Sequence, residues 1–273
     1  MAGIPLWIEL LFIGIVLGLF SFLVFLARYV GGRKYGAISG IASKDKIASI
    51  LIGILSLWLA LTAVLASRGG FADFTSLPPR LLGVVGPAMI GVVLLVALPR
   101  VRRFIAEVPL FWLILIQAFR IPLEWILHEL SVLDVIPQHM TFSGLNFDVL
   151  TGLTALPVGW LLRKRTVTTL RIAGAWNVLG LLLVLNILVI SILSTPSPFR
   201  VFMADPANTF IADFPFVWLP AFVVPLALLF HLWTFVRIGQ EMKSLRGMET
   251  GDTEQPTPRT KSAAATVNFD SDQ

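Results

Sequence analysis

Gln117, Arg120, Glu124, His128 and Ser131 sit three or four residues apart inside one long apolar segment. At about 100° per residue they share a helical arc of roughly 80°. An amide, a guanidinium, a carboxylate, an imidazole and a hydroxyl on one stripe can hold an anion, exchange a proton or pair with one another. Glu129 points away from the stripe and is expected at an interface.

Arg120 lies about a dozen residues into this segment, well over 15 Å along a helix, near the middle of a bilayer. A lone charge at that depth costs about 3 kcal/mol or more. Glu124, one turn on, is the nearest partner in sequence, so an Arg120–Glu124 pair is expected. Pro122 lies between them, removes a backbone donor and frees the carbonyl of Ala118. The pair reads either as a structural ion pair fixing helix register or as a site for ligand or proton.

A second group follows. Asp148, Thr151, Gly152, Ala155 and Gly159 share a face, with Thr151 at its edge, in a segment of roughly fourteen uncharged residues, about 21 Å of helix. That is short of the bilayer core of about 30 Å. Either the helix is short or Asp148 lies below the surface. Short spans interrupted by Gly and Pro point to binding sites. Gln117, Arg120, Glu124, His128, Asp148 and Thr151 are therefore the candidate ligand- or ion-binding residues. His128, His139, Glu124 and Asp148 have the side-chain types of a metal site at a nonspecific spacing. Asn146 or Asp148 reads as the cap of the following helix. Asn186 is expected to bond across helices, on the opposite side from Asn177. His231 is expected to be packed and hydrogen-bonded, too far from His128 to share a metal.

The elements that carry these residues are set by composition. Apolar residues make up 56% of the 273 and charged residues 14%, too apolar for one soluble core. The fold class is all-α, a polytopic membrane protein with seven transmembrane helices. The spans are Pro5–Ala27, Ile47–Ala66, Leu81–Leu98, Val108–Leu133, Phe147–Leu162, Ile172–Leu193 and Pro215–Val236. Of the 21 Lys and Arg, all but Arg68, Arg80, Arg120 and Arg200 fall in alternate loops. The positive-inside rule then places the N-terminus outside and the C-terminus in the cytoplasm. The first span is too long for a cleaved leader.

Residues 1–246 read as one seven-helix domain and 247–273 as a disordered polar cytoplasmic tail. The net charge of +5 reads as topology and contact with anionic lipid, not nucleic acid. The absence of cysteine excludes disulfides, thiolate metal sites and a cysteine nucleophile. No cofactor is indicated. Gly14 and Gly18 form a GxxxG that reads as a helix-packing pattern, within the chain or in a homo-oligomer. Gly32, Gly36 and Gly40 read as a short interfacial helix or a loop. Pro215, Pro220 and Pro225 are expected to kink the last span.

The segments QAFRIPLEWILH (117–128) and MTFSGLNFDVLTGLTA (140–155) resemble a family of uncharacterised bacterial integral membrane proteins. The resemblance implies a multi-pass protein of the bacterial cytoplasmic membrane and carries over no activity. From the residues, three readings follow. The first is a carrier or channel-like protein for a small solute or ion. The second is a ligand-sensing or partner-regulating protein that signals through its tail. The third, weaker for want of an HxxxH pair or a nucleophile–base motif, is a lipid-modifying enzyme.

Overall fold

Apolar runs bounded by Pro, Gly and charge become helices throughout the chain. The computed structural model describes residues 3–35 and 44–251. Among these, nine α-helices, three 3-10 turns and one π turn are joined by loops, with no strand. Five helical segments are long and apolar enough to cross a membrane: Leu6–Val30, Ser49–Ser67, Leu110–Val132, Val167–Ser194 and Leu219–Gly247.

The first two lie in α1 (Leu6–Tyr35) and α2 (Lys44–Ser67). The third expected span is broken. Helix α3 (Leu82–Ala97) meets α4 (Pro99–Ile105) at an angle of 73°. Leu98 precedes a proline, which disfavours helical backbone, and it is extended here. The fifth expected span is the short helix α7 (Val149–Leu161), only 13 residues long. The helix is short, as the first alternative posed by the sequence has it, and Asp148 at its head is buried in the protein, 4% exposed.

The fourth span is one rod in three pieces: α5 (Leu110–Leu115), a 3-10 turn (Ile116–Phe119) and α6 (Arg120–Val132). The tightened turn lies just before Pro122, whose missing N–H removes the α-type bond to Ala118. Helix α8 (Val167–Ser194) starts five residues before the expected Ile172. Thr166 and Thr169 cap it reciprocally, at 3.2 and 3.1 Å.

The last span is the hub. A π turn (Leu219–Val223) containing Pro220 leads into α9 (Val224–Gly251). Residues 226–231 are buried all round. Helices α3, α5 and α8 pack against it. The π turn is laced to α2 by two tryptophans. Trp58 Nε1 donates to the Ala221 carbonyl and Trp218 Nε1 to the Leu59 carbonyl, both at 3.0 Å. Trp218 is thus a packing element.

Gly14 and Gly18 are on the exposed side of α1, with nothing within 4 Å of a Cβ placed at either. The expectation that they seat another helix of this chain is not met. The readings made for Gly36, Gly40 and the tail from 252 onward lie outside the described residues.

Candidate functional site

Arg120 is completely buried at the first position of α6. Its guanidinium meets three elements. Nη1 forms an ion pair with the Asp148 carboxylate at the head of α7. Nη2 donates to His231 Nε2 on α9 at 3.1 Å. Nε donates to Gln117 Oε1 in the 3-10 turn at 3.3 Å. The Arg120 Cζ also lies 5.8 Å from the Phe119 ring centroid.

The expected Arg120–Glu124 pair is corrected here: the acid that pairs with Arg120 is Asp148. Glu124 is 2% exposed, and both of its oxygens receive Asn146 Nδ2, at 2.8 and 2.7 Å. The same nitrogen lies 3.2 Å from the Met140 carbonyl. Asn146 Oδ1 accepts the Asp148 backbone N–H at 3.1 Å. This fixes the amide orientation, since a flip would set donor against donor at Asp148 and acceptor against acceptor at Met140. Asn146 thus holds the residue at the head of α7, but neither it nor Asp148 makes the side-chain cap bond expected from the sequence. It also joins the two acids.

His231 is equally determined. Asn177 Nδ2 donates to the His231 carbonyl at 3.0 Å, so its Oδ1, 2.8 Å from Nδ1, accepts. The guanidinium can only donate, so Nε2 accepts from it. The imidazole is neutral, with its proton on Nδ1. Space for the ring comes from Gly180 on α8, where a Cβ would lie 2.6 Å from His231 Cε1. Gly152 likewise lets α7 approach α6, where a Cβ would lie 2.9 Å from Ile121 Cγ1 and 3.3 Å from Arg120 Cβ.

Two buried polar groups are left over. Gln117 Nε2 has no partner although the residue is fully buried. Thr151 Oγ1 is buried one turn beyond Asp148 without a well-formed hydrogen bond. The structure therefore brings Gln117, Arg120, Glu124, Asp148 and Thr151 together, as the sequence stripe and face anticipate. It adds Asn146, Asn177 and His231, which sequence reasoning had placed elsewhere.

His128 is not part of the sealed cluster. It lines an open cavity of about 320 Å³ with Ser131, Asp134, Gln138, Ser143 and Asp205. Its Nδ1 is 3.5 Å from Ser143 Oγ, and its ring stacks on Phe142 at 4.7 Å. Arg200 shapes the far wall by bonding the carbonyls of Phe202 and Ala204 and the Asp205 carboxylate. Glu129 accepts from Trp125 Nε1 at 3.0 Å, away from the cluster as expected.

The four metal candidates do not converge. His139 bonds Ser194 Oγ at 2.7 Å and stacks on Phe202 at 4.7 Å, while His128 faces Ser143. Among the described residues no three His, Asp or Glu side chains form a metal-binding group. Asn186 bonds the Leu145 carbonyl at 2.8 Å, reaching the loop instead of another helix.

Apolar helices around a sealed ionic centre define a multi-pass helical membrane protein. Residues 78–239 match the family model described as a domain of unknown function, DUF8737, and the chain belongs to that family. The matched region covers more than half of the chain. It contains every residue of the buried cluster and leaves α1 and α2 outside. No curated protein and no solved structure matches the chain.

Proposed function

We propose that this protein is a carrier or channel-like protein for a small solute or ion, handled at the cluster built around Arg120. One observation carries the reading. A guanidinium, two carboxylates, an imidazole and three amides are gathered at 0–4% exposure where α6, α7, α8 and α9 meet. Scaffold packing alone does not call for this, because intramembrane ionisable groups are costly and mark solute, ion or proton pathways. The 3-10 turn within the fourth span and the short α7 agree with it, since interrupted helices gather around such sites.

In this reading the chain crosses the bilayer seven times. Helix α7 and the bent α3–α4 pair count as spans, and the N-terminus faces outward in a bacterial cytoplasmic membrane. The cavity at His128 then opens outward. Arg120 holds Asp148 and an anionic group in turn, Glu124 exchanges charge, and Thr151 and Gln117 supply hydrogen bonds. Membrane lipids cover the apolar flanks. The tail and the bare Gly14–Gly18 face are free for a partner or a second copy.

The test is flux into vesicles containing the purified full chain. Sodium, potassium, chloride, small carboxylates and protons would be offered in turn and charge movement recorded. Glu124→Gln and Arg120→Ala are expected to abolish whichever flux the wild type shows. A flux that survives both, in vesicles shown to hold folded protein, removes the cluster from transport.

A further inference from the structure

The cluster does not balance its charge. Arg120 supplies one positive charge, while Asp148 and Glu124 supply two carboxylates. His231 contributes none, because its Nε2 lone pair receives the guanidinium. Arg120, Glu124 and Asp148 are 0%, 2% and 4% exposed. A surplus negative charge in so dry a site is strongly unfavourable unless a positive charge joins it.

The hydrogen bonds say where that charge goes. Asp148 already has the guanidinium. Glu124 has only Asn146 Nδ2, whose one available proton is shared between both oxygens while the other faces Met140. A carboxylate offers about four lone-pair sites, so Glu124 is the acid with room for a proton of its own. Among the described residues no metal-binding group of three His, Asp or Glu forms there, and an Asn146 N–H already points at both oxygens.

Two further observations bear on the surroundings of this acid. Gln117 Nε2 is fully buried and unpartnered beside the guanidinium, one stripe repeat from Glu124. It is a donor held in the cluster without an acceptor. On the other side His128 is one turn along α6 from Glu124, and lines the open cavity with Asp134 and Asp205. Helix α1 packs along α6, where Trp7 and Trp125 are 6.0 Å apart, and its only acid at that end is the part-exposed Glu9. Among the described residues, the groups facing Glu124 are thus Arg120, Asn146 and Asp148, with His231 and Asn177 behind Arg120.

We propose that Glu124 is the exchangeable proton acceptor of the buried cluster, loaded from water in the cavity at His128. An O–H bond of a hydronium ion in the cavity breaks and an O–H bond forms on a Glu124 oxygen. The surplus charge is cancelled, and release reverses the step. No oxidant or co-reactant enters. The inference rests on the cluster being the working site of the proposed carrier and names the proton as its coupling ion.

The test is infrared difference spectroscopy of the full chain in lipid vesicles, titrated with acid and base. Wild type is expected to show a neutral carboxylic-acid C=O band that titrates and shifts on exchange into heavy water. Glu124→Gln should lose the band and Glu124→Asp should move it, so either variant suffices where the other fails to fold. His128→Phe should slow the heavy-water shift. No such band in wild type, or a band unchanged in both Glu124 variants, overturns the proposal. So does a carboxylate band that answers to sodium chloride and not to pH. Flux without the band overturns the proton assignment and leaves the carrier standing. The band without any flux supports the proton site and removes the carrier.

Discussion

Asn146 binds Glu124 through a single amide nitrogen that reaches both carboxylate oxygens, at 2.8 and 2.7 Å, while its carbonyl oxygen holds the backbone N–H of Asp148. One neutral side chain thereby sets the spacing of two acids that carry opposite duties. Asn146→Ala removes the only side-chain donor to Glu124 among the described residues and leaves a buried backbone N–H unpaired. Each such loss costs about 1–3 kcal/mol, so a clear drop in unfolding temperature is expected in detergent. Asn146→Asp should be worse, because it sets a third carboxyl against Glu124. Wild-type stability in either variant would mean that Glu124 has another donor.

The partner of Arg120 can be measured by double-mutant cycles. Arg120 meets Asp148 in an ion pair, while Glu124 is held by Asn146. Breaking a buried pair from one side costs about 3–5 kcal/mol. Asp148→Asn should therefore destabilise strongly, and much less so when Arg120 is already Met. The cycle of Arg120→Met with Glu124→Gln should show the smaller coupling. The reverse order would restore the i,i+4 pairing that the sequence suggests.

That contrast shows what was legible in the sequence. The stripe of Gln117, Arg120 and Glu124 on one helix is visible because spacing within a helix is fixed. The shortness of α7 and the burial of Asp148 are visible because a span has a minimum length. Which acid meets the guanidinium is set by the packing of α7 on α6, through the gap that Gly152 leaves, and no periodicity within one helix encodes that. His231 and Asn177 look like isolated polar residues in two apolar helices. They belong together only because Gly180 lets α8 and α9 close around the imidazole. The 3-10 turn before Arg120 was hinted at by Pro122. The bend at Leu98 was open to the same argument from Pro99, yet the continuous apolar run from Leu81 hid it.

His139 gives a pH dependence of known sign. It lies in the loop between α6 and α7, bonded to Ser194 and stacked on Phe202. Burial holds its pKa below the ordinary 6.5. Between the two values the unfolded chain binds more protons than the folded one. The contribution of His139 is thus full above pH 6.5 and is lost as pH falls through the lower, folded value. The Leu145 amide, which donates to the His139 carbonyl at 3.0 Å, is the local reporter. Its hydrogen-exchange protection should fall from about pH 7.5 to about pH 5, beyond the intrinsic effect of pH on exchange. His139→Phe keeps the stack and cannot charge, so it should remove the dependence. A dependence that persists would place the titrating group elsewhere.

Gly180 and Gly174 lie on the same helix and should respond oppositely to one added methyl. A Cβ at Gly174 has nothing within 4 Å, so Gly174→Ala should be neutral or stabilising by up to about 1 kcal/mol through helix propensity. A Cβ at Gly180 would lie 2.6 Å from His231 Cε1 and 2.9 Å from Thr151 Cγ2. The imidazole cannot swing aside cheaply, because Asn177 grips one nitrogen and Arg120 the other. Gly180→Ala should therefore cost about 1–3 kcal/mol as overpacking. Much of that penalty comes from the His231 ring. In a His231→Ala background the methyl meets open space on that side, and Gly180→Ala should cost clearly less than in wild type, read as unfolding temperature. Equal penalties in the two backgrounds would show that the Thr151 side alone limits the space, and that the imidazole is not held where Arg120 needs it.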